Sequence, residues 1–196
     1  MLKGQKITLN VPNLLSLSRI PLTLAAILIH YLGWKNPTDQ ITLHWVATSL
    51  VFLIGLTDFL DGRLARRAGL PKNGLGAILD ERTDKFFAWG CFIYLAIIGL
   101  CDWEVPVLFI LRDVTVTYYR KEVENKTGQA VSAKLFGKLK TVFQFLCVGL
   151  YFVPLFSDAG IKYFISTAIL DLTVVLSLIS GLQVCINCSR ILNSKD

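Results

Sequence analysis

ITLHWVATSLVFLIGLTDFLDGRLAR, residues 41–66, and GAILDERTDKFFAWGCFIYLAIIGLC, residues 76–101, decide how this chain folds. Within them, Ile41–Thr57 and Phe86–Cys101 contain no Asp, Glu, Lys or Arg, and each approaches the run of about 20 apolar residues that a bilayer core demands. The acids cluster where these runs face each other: Asp58 and Asp61 close the first, and Asp80 and Asp84 open the second. A chain that leaves a bilayer and re-enters it must do so on one side, so the four carboxylates gather at one face of the membrane.

Further runs extend the pattern. Ile20–Trp34 and Thr141–Ser157 are equally free of charge, Val105–Tyr119 is interrupted by Arg112 and Asp113, and Leu172–Ser189 follows a second apolar run, Tyr163–Leu170. The expectation is an all-α, polytopic integral membrane protein of six transmembrane helices. Its first span starts near Leu14 and takes in Arg19; its third starts near Leu75 and takes in Asp80 and Asp84. Lys3–Ser18 are expected to lie along the interface as a juxtamembrane N-terminal helix, with Pro12 and Asn13 marking entry to the first span. No removable leader and no internal repeat is visible.

Composition excludes the alternatives. Of 196 residues, 54% are hydrophobic and only 17% charged, against about 25% charged in soluble domains. Mean hydropathy is +0.56, so this much apolar surface needs lipid to cover it. The net charge of +6 is explained by position. With six spans, Lys35 and Lys162 alone among the 20 Lys and Arg fall on one side; the rest fall on the other, which the positive-inside rule makes cytoplasmic. Both termini and the acid cluster are therefore expected in the cytoplasm, in a bacterial inner membrane, and no nucleic acid partner is implied. The five cysteines are scattered through apolar runs, and Cys185 and Cys188 form a lone C-x-x-C, read as structural rather than as a zinc site.

Asp58 and Asp61 are three apart and Asp80 and Asp84 four apart, so on helices each pair shares a face. The plain alternative is a set of helix-end charges neutralised by Arg63, Arg66 and Lys85. Ionised groups in spans are expensive unless paired or metal-bound, and converging carboxylates raise one another's pKa unless a cation opposes them. Oxygen-only ligands select a hard ion, Mg²⁺ or Mn²⁺. Two such ions bridge a diphosphate and polarise the bond to be broken. Gly62 and Gly76 admit a phosphate to the backbone, and Arg66 offers it a bidentate fork. The chemistry indicated is phosphoryl-type transfer at the membrane surface.

Written as a pattern, D-x2-D-G-x2-A-R…G-x3-D-x3-D resembles the signature of the CDP-alcohol phosphotransferases, and all eight of its fixed positions are met. The resemblance implies one such membrane domain over residues 1–196. It also implies two divalent ions held by Asp58, Asp61, Asp80 and Asp84, with Asp84 the base that deprotonates the acceptor hydroxyl. Gly62, Ala65, Arg66 and Gly76 would lie against the CDP moiety. One departure is that nine residues separate Arg66 from Gly76, where eight are usual.

Within the family, Pro12-Asn13-Leu14-Leu15-Ser16-Leu17-Ser18-Arg19, Gly137-Lys138-Leu139-Lys140-Thr141 and Leu176–Gln183 resemble the phosphatidylglycerophosphate synthase branch. That branch moves the phosphatidyl group of CDP-diacylglycerol to glycerol 3-phosphate and releases CMP. A dianionic acceptor needs cations, and Arg112, Lys138 and Lys140 are the candidates for its phosphate. Arg112 has a competing role, a salt bridge to a carboxylate on another helix. Arg112-Asp113 stands where the branch usually carries Arg-Glu, and is similar to the cardiolipin synthases, whose acceptor is phosphatidylglycerol. Glu81-Arg82-Thr83 replaces the usual Pro and small residues. The lipid bilayer is the remaining partner, and a homodimer is allowed but not required. From another class, a small cation-coupled transporter is opposed by the absence of Gly/Pro-broken helices in matching halves.

Overall fold

The structure, a computed structural model, describes residues 11–67, 75–128, 135–154 and 159–193, without the side chains of 11–13, 59, 61–67, 75–80, 135, 136, 138, 159 and 162. Six helices stand where six apolar runs were read: α1 Val11–Lys35, α2 Gln40–Arg67, α3 Leu75–Ile97, α4 Glu104–Thr127, α5 Leu135–Phe152 and α6 Ala159–Asn193. No strand occurs among the described residues. The molecule is all-α as expected.

Three of these helices have both the length and the apolar composition to cross a bilayer: Leu14–Lys35, Gln40–Asp58 and Tyr163–Asn193. Leu139–Phe152 is apolar but shorter. α3 and α4 carry charge inside the helix, at Asp84 and Lys85 and at Arg112 and Asp113. Large apolar side chains such as Leu28, Phe52, Leu111, Phe164 and Leu182 face outward, a surface that only hydrocarbon covers without penalty. The chain is a membrane protein.

Two boundaries differ from the sequence reading. Val11–Ser18, expected along the interface, form the first turns of α1, although its apolar span starts at Leu14 as expected; the preceding Lys3–Asn10 lie outside the described residues. The runs Tyr163–Leu170 and Leu172–Ser189 join into the 35-residue α6, because Asp171 between them is exposed and leaves the helical ladder intact.

Hydroxyls without water to bond turn back on their own helices. Thr23 Oγ1 donates to the Arg19 carbonyl at 2.7 Å, Thr48 Oγ1 to that of His44 at 2.7 Å, and Thr173 Oγ1 to that of Ile169 at 2.6 Å. Pro21 is accommodated inside α1, as membrane helices allow. α4 stops at Gly128, whose φ of 69° places it in the left-handed region and whose N–H donates to the Glu124 carbonyl at 2.9 Å, a glycine cap.

The chain forms two compact units, Met1–Cys91 with Phe152–Pro154, and Phe92–Tyr151 with Leu155–Asp196. In the first, α1 packs along α2, and Ala26 on α1 and Ala47, Val51 and Ile54 on α2 are buried; the two alanines are small residues of the kind that let membrane helices approach closely. Its other end is closed by a stack of His30 on His44 (centroids 4.3 Å apart) and on Phe152 (4.2 Å). In the second, α4 packs on α6 through Val116, Val123, Val184 and Cys188. Phe109 tilts against Phe92 at 4.8 Å.

Candidate active site

In the first unit, three helices meet at one guanidinium. Arg19, a turn and a half into the apolar stretch of α1, is completely buried (0% exposed). Its Nη1 lies 3.0 Å from Asp58 Oδ1 on α2 and donates to Asp84 Oδ1 on α3. Asp58 and Asp84 keep 35% and 29% of their side chains exposed. The arginine thus approaches the pair from the protein interior, while the carboxylates retain an open face. Guanidinium never loses its charge, and burying it is tolerable only against paired anions.

Asp61 lies one turn beyond Asp58 within α2, and Asp80 one turn before Asp84 within α3. Both signature pairs therefore have the helical spacing that the sequence required. The side chains of Asp61 and Asp80 lie outside the described residues, as do those of Ala65 and Arg66, whose backbone with Gly62 continues α2, and of Gly76 near the start of α3. The lengthened loop, residues 68–74, is likewise outside.

Among the described residues no three of His, Cys, Asp and Glu come together, but the two described signature acids do fit a divalent ion. Their donors are oxygen only, and both point to a single positive charge, as a hard cation requires. The surrounding substitutions also find an account. Glu81 pairs with Lys85 at 2.7 Å one turn on, Arg82 is exposed and Thr83 is buried. The charged residues between the aspartates therefore face away or pair along α3.

The second unit holds the candidate acceptor cations. Asp113 Oδ1 accepts from Arg112 Nη1 and from Lys140 Nζ, each at 2.7 Å. Arg112 Nε also donates to the Ser177 carbonyl at 3.1 Å and Nη2 to Ser180 Oγ at 2.7 Å. The competing role read for Arg112 is thus partly realised, with the neighbouring residue on its own helix as the carboxylate. Among these three described groups, one anion stands against two cations. The side chain of Lys138 lies outside the described residues. All five cysteines are free, and Cys188 packs in the α4–α6 core, consistent with a structural C-x-x-C.

Arg19 is the residue that sequence reasoning left out of the site. A signal existed: a lone arginine in a span seeks an anion, and four lay at the same membrane face.

Comparison with known proteins shows the family. Residues 9–179 match the model of the CDP-alcohol phosphatidyltransferase family. The chain belongs to that family. It is 28% identical over 174 residues to a probable phosphatidylglycerophosphate synthase of Mycobacterium tuberculosis strain H37Rv, covering 89% of this chain and 79% of that one. It is 30% identical over 145 residues to the CDP-diacylglycerol–glycerol-3-phosphate 3-phosphatidyltransferase of Bacillus subtilis strain 168, covering 71% and 74%. A cardiolipin synthase (CMP-forming) of Rattus norvegicus is 30% identical over 152 residues, 78% of this chain and 43% of that one. The fold resembles the crystal structure of M. tuberculosis phosphatidylinositol phosphate synthase with CDP-DAG bound, with a TM-score of 0.62 at 16% identity over 91% of this chain and 86% of that one.

Proposed function

We propose that this protein transfers the phosphatidyl group of CDP-diacylglycerol to glycerol 3-phosphate, giving phosphatidylglycerophosphate and CMP. The observation that carries the reading is the convergence of Asp58 and Asp84, from separate helices of the family signature, on one cationic position. Asp58, Asp61, Asp80 and Asp84 would hold two Mg²⁺ or Mn²⁺ ions. Ions bound there would supply Lewis-acid activation of the diphosphate and charge neutralisation for the CMP leaving group.

The chain's own groups do the rest. Asp84 takes the proton from the acceptor hydroxyl, whose oxygen attacks the phosphatidyl phosphorus. The bond from that phosphorus to the bridging oxygen breaks, and the electron pair leaves with CMP. Gly62, Ala65, Arg66 and Gly76 are assigned to the CDP moiety, and Arg112, Lys138 and Lys140 to the acceptor's phosphate. The distribution of Lys and Arg supports six spans with both termini and the aspartates on the cytoplasmic side of a cell membrane.

Purified protein given CDP-diacylglycerol, Mg²⁺ or Mn²⁺ and a panel of acceptors tests this. CMP release should follow glycerol 3-phosphate, vanish in EDTA and return with either ion. Full turnover in chelator would refute the metal-dependent mechanism. Arg112-Asp113 favours a second reading, cardiolipin synthesis, and a preference for phosphatidylglycerol over glycerol 3-phosphate would establish it.

A further inference from the structure

The geometry points to Arg19 as a resident counter-cation: it holds Asp58 and Asp84 together when no divalent ion is bound, and its fixed charge weakens the binding of that ion. This rests on the metal-dependent reading above and adds to it a positioning residue from outside the aspartate signature. Four features carry it. The guanidinium is fully buried while the carboxylates are partly open, so the arginine backs the pair instead of competing with solvent for it. One nitrogen, Nη1, serves an oxygen from each of two helices, so losing it removes a contact to both carboxylates at once. The side chain arises from an ordered turn, where Thr23 Oγ1 holds the Arg19 carbonyl at 2.7 Å. Lastly, the charge is permanent, and it acts on an incoming divalent ion whatever the pH.

Two opposed consequences follow. Like-charged carboxylates at a membrane end repel, so the metal-free protein depends on Arg19 to keep α2 and α3 in register at the site. Yet a unit positive charge within a few ångströms of a divalent ion lowers its affinity on the order of tenfold even at the dielectric of water. Arg19 therefore sets the affinity low enough for metal to exchange while keeping the empty site assembled.

The test needs no turnover. Mn²⁺ binding to full-length protein in nanodiscs is followed by electron paramagnetic resonance, and thermal unfolding is followed in EDTA and in saturating Mg²⁺. Arg19→Gln should bind Mn²⁺ about tenfold or more tightly than wild type. It should unfold at least about 4 °C lower in EDTA, with the deficit shrinking in Mg²⁺. Arg19→Lys keeps the charge, so its Mn²⁺ affinity should stay close to wild type and its stability in EDTA should be largely restored. A merely structural arginine would give weaker metal binding on removal, not tighter. Mn²⁺ affinity in Arg19→Gln equal to or below wild type overturns the inference. If that variant does not fold, Arg19→Lys binding Mn²⁺ about tenfold or more tightly than wild type, although it keeps the charge, overturns it as well. Wild-type protein that binds no Mn²⁺ would instead refute the metal-dependent function itself.

Discussion

Replacing Asp113 by Asn keeps the size of a buried side chain and removes the one anion that Arg112 and Lys140 share. Asp113 is 3% exposed, and its Oδ1 stands 2.7 Å from both cationic nitrogens. In wild type these three groups together carry one net positive charge; in Asp113→Asn they carry two. Removing one partner of a buried pair costs about 3–5 kcal/mol, and an uncompensated base in a span costs about 2.5–3.5 kcal/mol by insertion scales. The two routes agree near 3 kcal/mol. The lower end applies because Arg112 keeps the Ser177 carbonyl and Ser180 Oγ. Asp113→Asn/Lys140→Met returns the cluster to one net positive charge, so it should recover about 1–2 kcal/mol of the loss. Unfolding in mixed micelles on titration with dodecyl sulfate, followed by fluorescence of the four tryptophans, measures both. If Asp113→Asn lies within about 1 kcal/mol of wild type, or the double variant is less stable than the single one, the shared-anion account is wrong.

Other expectations follow from the same geometry. Asp84→Asn should lower kcat by more than about 100-fold, read as CMP release from a variant shown by size exclusion to be folded. Lys138→Ala should mainly raise KM for glycerol 3-phosphate and leave that for CDP-diacylglycerol nearly unchanged, which initial-rate kinetics in each substrate will resolve. A Cβ at Gly181 would stand 2.9 Å from Arg112 Cγ and 3.1 Å from its Nε. Since Arg112 is pinned by three hydrogen bonds, Gly181→Ala should cost about 1–3 kcal/mol, whereas Gly149→Ala, with nothing within 4 Å, should leave the same unfolding curve in place. A cysteine at Asn36 in a cysteine-free background should react with an impermeant thiol reagent outside intact cells, and one at Arg67 should not.

The helices were legible in the sequence because hydropathy along the chain is itself the physical requirement for crossing a bilayer, and the charge-free runs Ile20–Trp34, Ile41–Thr57 and Leu172–Ser189 fall inside the observed α1, α2 and α6. Asp58 with Asp61 and Asp80 with Asp84 were equally legible, since a spacing of three or four on a helix sets which residues share a face. The Glu81–Lys85 pair follows the same rule and needed only to be looked for. The length of α6 was not legible, because a single aspartate in an apolar stretch breaks a hydropathy window without breaking the hydrogen-bond ladder. The partners of the buried charges lay further out of reach. Arg19 meets Asp84 across 65 positions, and Lys140 meets Asp113 across 27. Sequence required some anion for Arg19 and some partner for Arg112. Which carboxylate answers depends on how each helix is rotated and shifted against its neighbours, and that is set by the contacts of small and apolar side chains across the whole interface, such as Ala26 and Ala47, which carry no mark of the charges they bring together.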